Sequence, residues 1–316
     1  QGSKLNFGML KLGILRDLIN TGMIQVEGRL LVKGPGYIVN DQGSIIGERV
    51  KIGDDEDLIN DQDGVIGSDE NGVSYYSYKG LIESKNGINI NASGDIKFID
   101  SKVYGDGCVF ISKAGIIEII DTEIKLKNSL ALISTQLVKQ INANITLRDS
   151  YLLSSLHEDK IFMKILDLPT NSDFGMTSNL IVDNLQLQVA KTCYLYGDKL
   201  DILNSNIVCE KEGVIKSSSF RQGSKLNFGM LKLGILRDLT NTGIIQVKDK
   251  LLIKGPGYVV NDRGSIIGGD VEINLEGSDS SGLGYIQNGI GRLKADNNLY
   301  LISEHSVHIG YLEEVL

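Results

Sequence analysis

Few residues in this chain are of types that do chemistry, and their spacing limits what each could do. Asp100, Asp121 and Asp149 each precede Ser or Thr between alternating apolar residues. Stacked along one face, such carboxylates could act as the acids of a polysaccharide lyase or hydrolase, if two stood about 5 to 9.5 Å apart. No basic residue accompanies them to take a proton, and Asp before Ser or Thr is a turn former in its own right. His305 and His308 fall on opposite faces of any strand, and His157 has no nucleophile elbow to serve. The run Asp54-Asp55-Glu56-Asp57 with Asp61 and Asp63 fails as an EF-hand, because counting back from Gly64 puts Ile59 at the first ligand position. Cys108, Cys193 and Cys209 form no CxxC pair, which argues against structural zinc and against a disulfide framework. Gly105-Asp106-Gly107 and Gly282-Leu283-Gly284 lack the strand–helix setting of a dinucleotide loop. Asn91 and Asn144 match the glycosylation pattern, as chance allows in a chain this rich in Asn. Turn-making explains the acids, so no catalytic residue, metal or cofactor is assigned. A polysaccharide-degrading or polysaccharide-binding protein is the alternative.

One cluster fits recognition better than catalysis. Tyr75, Tyr76 and Tyr78 crowd into Gly67–Gly80, and tyrosine offers a large contact area at little entropic cost. They are the candidate partner-contact residues, with capping of the core as the competing reading.

What must position these groups is set by repeats. Residues 1–47 recur as 222–268 with 39 of 47 positions identical. Three differences are aliphatic exchanges (Met23/Ile244, Val32/Ile253, Ile38/Val259), of the kind a packed core tolerates. Within each copy Asn returns every 20 residues, at Asn20, Asn40 and Asn60 and again at Asn241 and Asn261. A turn glycine and period-two apolar residues such as Ile24/Val26 and Leu30/Val32 follow. A 20-residue unit of short strands cannot bury its apolar face alone, but stacked coils bury a continuous core. Successive Asn side chains would then form a hydrogen-bonded ladder. The glycine is expected to supply positive φ at the corner, and Lys33-Gly34-Pro35-Gly36-Tyr37 reads as a type II turn. Asp100-Ser101, Asp121-Thr122, Asp149-Ser150 and Asn204-Ser205 read as a second family of corners.

The predicted fold is all-β: a parallel β-helix (solenoid) of about 20-residue turns with protruding loops at 67–80, 157–178 and 269–284. It should contain about 13 to 15 turns, with the two copies about 10 or 11 turns apart on an uninterrupted axis and fewer if the loops consume residues. Three blocks follow: repeats at 1–66, divergent turns with loop excursions at 67–220, and the second copy at 221–316. The 316 residues carry a net charge of −8 and mean hydropathy near zero, with no apolar run long enough to span a membrane. Neither nucleic acid nor anionic lipid is therefore expected as a main partner.

The motifs Asn-x-Gly-(Met/Ile)-Ile-x-Val, Leu-Leu-(Val/Ile)-Lys-Gly and Asn-Asp-x-Gly-Ser-Ile-Ile-Gly resemble the repeats of filamentous haemagglutinin-type exoproteins of two-partner secretion. That group includes adhesins and contact-dependent growth-inhibition effectors. The likeness covers 1–66 and 222–310, extends to Ile286–Leu299 with altered spacing, and is weak over 67–220. It implies a right-handed β-helix secreted to the surface of a Gram-negative bacterium, as a monomeric filament that binds a receptor protein or glycan on another cell. The Asn-Pro-Asn secretion motif and the Val-Glu-Asn-Asn junction before effector toxins are both absent. Together with an opening at Gln1 inside a repeat, this implies an interior piece of the stalk or of the receptor-contacting region. Docking to the outer-membrane transporter would fall to a segment outside this chain, as would any toxin.

Overall fold

Residues 4–13, 16–33, 36–53, 74–148, 150–154, 179–275, 284–303 and 306–309 are described by the computed structural model. They contain strands and no helix, wound as a β-solenoid of about 12 turns and roughly 21 residues per turn. Each turn has three sides, and each side stacks on the next coil through a parallel ladder. One side runs from Lys4–Phe7 to Met23–Val26 and Ser44–Gly47, and on through Leu81–Ser84. The second begins Leu10–Gly13, Leu30–Val32, Val50–Gly53, Ile88–Asn91. The third begins Leu18–Asn20, Ile38–Asn40, Tyr75–Ser77, Ile96–Phe98.

Alternation within these strands places one residue in two inside the coil. Ile24, Ile45, Ile82, Val103, Ile124 and Ile145 form one continuous inward column, each no more than 3% exposed. Such a column has no lateral boundary, so each coil contributes the floor of the next. Extended backbone winds unbroken from Thr192 to Asn241, through more than two coils.

The turn count is lower than the sequence suggested because the chain leaves the 21-residue rhythm. Ile45 and Ile82 are register partners 37 residues apart, and Ile145 and Leu187 are 42 apart. Leu5 and its duplicate Leu226 therefore lie nine coils apart, fewer than the 10 or 11 of a continuous axis, as expected where excursions consume residues. The acidic run at 54–57 with Asp61 and Asp63, and the loop expected at 157–178, fall outside the described residues. The expected loop at 67–80 is in part a strand, Ser74–Tyr78, and 269–275 continues a strand as well.

The asparagine ladder is present. Asn20 Nδ2 donates to Asn40 Oδ1 at 2.8 Å, and Asn241 Nδ2 to Asn261 Oδ1 at 2.6 Å. The same amides also donate to the carbonyl that opens the next side, Ser44 O for Asn20 and Ser265 O for Asn241. Asn60 lies outside the described residues, and the position above Asn40 belongs to Ser77. A further rung is supplied by Asn288, which accepts from Asn261 Nδ2 at 2.6 Å. Its 27-residue offset hides it from a period-20 reading.

The turn glycines act differently from expectation. Positive φ at these corners belongs to the residue before the glycine, Gln42 (φ 55°) and Arg263 (φ 59°). Gly43 and Gly264 are needed for room. A methyl group on Gly43 would lie 2.5 Å from Asn20 Nδ2 and 2.7 Å from Asn40 Oδ1. In the proline turn of the second copy, positive φ falls on Gly255 (147°) and not on Gly257, so Pro256–Gly257 is not a type II pair.

Candidate functional site

The third side of the solenoid carries a cluster of outward-facing tyrosines. Alternation in Ser74–Tyr78 sends Tyr75 inward and Tyr76 and Tyr78 outward. Tyr75 is fully buried, its ring 5.4 Å from that of Phe98, which in turn lies 4.9 Å from Phe110. Burial also pushes its phenol well above the ordinary value. Tyr75 is thus a core residue and leaves the candidate contact set.

Tyr37 takes its place. It follows the sequence Lys33-Gly34-Pro35-Gly36, is 54% exposed, and holds its ring 5.8 Å from Tyr76 at an interplanar angle of 20°. Its backbone N–H donates to Asp17 Oδ1 at 2.9 Å. Tyr76 and Tyr78 lie 6.3 Å apart at 26°, and Tyr78 is 37% exposed. Two neighbouring coils therefore present three roughly parallel rings in a row. The sequence reading missed Tyr37 because it treated the residue only as the end of a turn.

The next coils bound this row with charge. Lys97 Nζ stands 5.8 Å from the Tyr76 ring centroid, close enough for a cation–π contact. It also pairs with Asp95 at 3.3 Å and Glu118 at 3.2 Å, and Glu118 reaches Lys139 at 3.4 Å. Partial burial opposes the charge on Lys97, but Glu118 and Asp95 outweigh it and hold the ammonium above its ordinary range. Desolvation raises the Tyr76 phenol above its ordinary value, which keeps its hydroxyl a donor near neutral pH. This surface can stack on a flat, weakly polar face and hydrogen-bond its rim.

The acidic corners form a straight column. Asp100, Asp121, Asn142, Asn184 and Asn204 share φ near 50° on successive coils. Asn142 Nδ2 donates to Asp121 Oδ1 at 2.8 Å, and Asn184 Nδ2 to Asn142 Oδ1 at 2.9 Å. Asp149 lies outside the described residues. The strand Ser150–Ser154 pairs with Leu130–Ile133 on the second side, whereas Asp100 and Asp121 each precede a strand of the first. Asn142 and Asn184 went unrecognised because Ala143 and Leu185, not Ser or Thr, follow them.

Among the described residues no group of three or more His, Cys, Asp or Glu could hold a metal. His305 lies outside the described residues, and His308 is exposed on Ser306–Ile309. The three cysteines are free and buried. Burial raises all three thiols, with Cys209 pushed up to about 11. Because the thiolate is the reacting species, iodoacetamide at pH 8 is expected to leave the native protein unmodified. In guanidinium all three thiols should react, and mass spectrometry reads the difference. Among the described residues no helix is long and apolar enough to cross a membrane. No family model matches the chain, and neither does any curated protein or solved structure.

Proposed function

We propose that this chain is a rod segment of a filamentous haemagglutinin-type surface filament of a Gram-negative bacterium, and that its tyrosine face contacts a ligand on another cell. The observation that carries the reading is the outward-facing row Tyr37–Tyr76–Tyr78, mounted on two coils whose backbones are fixed by parallel ladders on all three sides. Rigid aromatic side chains on a rigid scaffold lose little entropy on binding. The repeat motifs support the rest: export by a two-partner transporter that docks a segment elsewhere, a single-chain filament, and a role in adhesion or in presenting a contact-dependent toxin carried elsewhere.

The test separates contact from core. Tyr37→Ala/Tyr76→Ala/Tyr78→Ala is expected to reduce adherence of the purified protein to target cells at least tenfold, while the melting temperature moves by no more than a few degrees. Tyr75→Ala should instead cost about 3 kcal/mol or more, by opening a cavity beside Phe98. Unchanged adherence of the triple variant would overturn the reading.

A further inference from the structure

We infer that the protein carries a second aromatic site equivalent to the first, and that the two together grip one linear, neutral polysaccharide. The inference rests on the adhesion reading above and names the chemistry of its ligand. Tyr258 is the duplicate of Tyr37, and it too faces outward and meets a tyrosine of the next coil. The rings of Tyr258 and Tyr285 are 5.0 Å apart at 7°. Asp238, the duplicate of Asp17, accepts a hydrogen bond from Tyr258 Oη at 3.4 Å. In each copy the second tyrosine enters at a break in the 21-residue spacing: Ile45 to Ile82 takes 37 residues and Ile266 to Leu293 takes 27. The pairing does not follow from the near-identity of the copies, because Tyr76 and Tyr285 both lie beyond the duplicated 47 residues. The two second tyrosines also differ in register, since Tyr285 faces Tyr258 directly whereas Tyr76 faces Val39.

Both pairs lie on the same side of the rod, nine coils apart. At about 4.8 Å per coil the separation is about 43 Å. Two rings expose far less than the roughly 800 Å² that one partner contributes to a stable protein interface. Two small sites in line along a rod fit a ligand that repeats along its own length. The chain carries a net charge of −8, and the acids Asp17 and Asp238 stand beside the rings, which disfavours a polyanion. An uncharged sugar chain offers flat C–H faces for the rings and hydroxyls for the flanking acids.

The probes are chitohexaose, cellohexaose and maltohexaose in titration calorimetry, and chitin, cellulose and amylose in retention assays. At least one hexasaccharide, too short to bridge the sites, should bind twice per chain. Tyr258→Ala/Tyr285→Ala and Tyr37→Ala/Tyr76→Ala should each bind it once. Either double variant should lose at least about 100-fold in affinity for the matching polymer, the range expected when linked sites become single ones. Tyr104→Ala, on another side, should change neither. Tyr258→Thr/Tyr285→Thr repeats the test with residues that keep strand propensity, should the alanine variant unfold. A stoichiometry of one, an undiminished polymer affinity in Tyr258→Ala/Tyr285→Ala, or no retention on any of the three polymers would overturn the two-site inference. If none is retained while the Tyr37/Tyr76/Tyr78 variant still loses adherence, only the polysaccharide inference falls. If adherence is unchanged, the adhesion reading falls as well.

Discussion

Gly264→Ala is expected to destabilise the protein by about 3 kcal/mol, whereas Arg263→Gly, one residue earlier, should leave stability unchanged or raise it by up to about 1 kcal/mol. A methyl group at 264 would lie 2.7 Å from Asn241 O and 2.7 Å from Asn261 Oδ1, and closer still to Asn241 Nδ2. The obstacles are a backbone carbonyl and two amides already bonded to each other, so none can move without breaking the ladder. Arg263 instead holds φ at 59°, a strained conformation for any residue with a Cβ. If glycine were present for its dihedral freedom, Gly264→Ala would cost only about 1 to 2 kcal/mol and Arg263→Gly would bring no gain. Urea unfolding of both variants, with midpoints compared at constant slope, decides between the accounts.

The second large effect is expected from Asn261→Ala, also about 3 kcal/mol. Asn261 is the middle rung: it accepts from Asn241 and donates to Asn288 and to Arg292 O at 3.1 Å. Alanine would leave the Asn241 amide without its rung partner and the Asn288 carbonyl with no donor from below, both inside the coil where water does not replace them. Stability in a solenoid is approximately a sum of nearest-neighbour terms, so the loss should be local. Amide exchange should accelerate in Tyr285–Asn288 and Arg292–Ala295 and stay unchanged in Cys108–Ser112. Uniform acceleration along the rod would contradict a nearest-neighbour origin.

These two variants also show what the sequence could reveal. Period-two alternation and the recurrence of Asn every 20 residues led directly to parallel coils and an amide ladder, because both patterns are imposed by contact between neighbouring coils. The role of the glycines was not legible, since a residue chosen for room and one chosen for positive φ are both written Gly. The structure separates them, and the sequence then agrees: Gly43, Gly80 and Gly264 all sit beside ladder amides, while farther along the same column Ser101, Thr122 and Ala143 carry side chains freely. Asn288 was hidden because an extra stretch of chain breaks the period without breaking the register. For the proposed contact site, strand alternation had to be known before Tyr75 could be assigned to the core and Tyr76 and Tyr78 to the outer face. Tyr37 could only be recognised once coil stacking had brought it to Tyr76.

The direction of the backbone hydrogen bonds has a mechanical consequence. Every ladder bonds one coil to the next, so tension between the ends of the rod falls on these seams in series, and the outermost seam opens first. Freeing one coil of roughly 21 residues gives up about 4.8 Å of rod and releases about 70 Å of extended chain. A rod built this way lengthens in discrete steps under tension, each freed coil shedding load before the next seam opens.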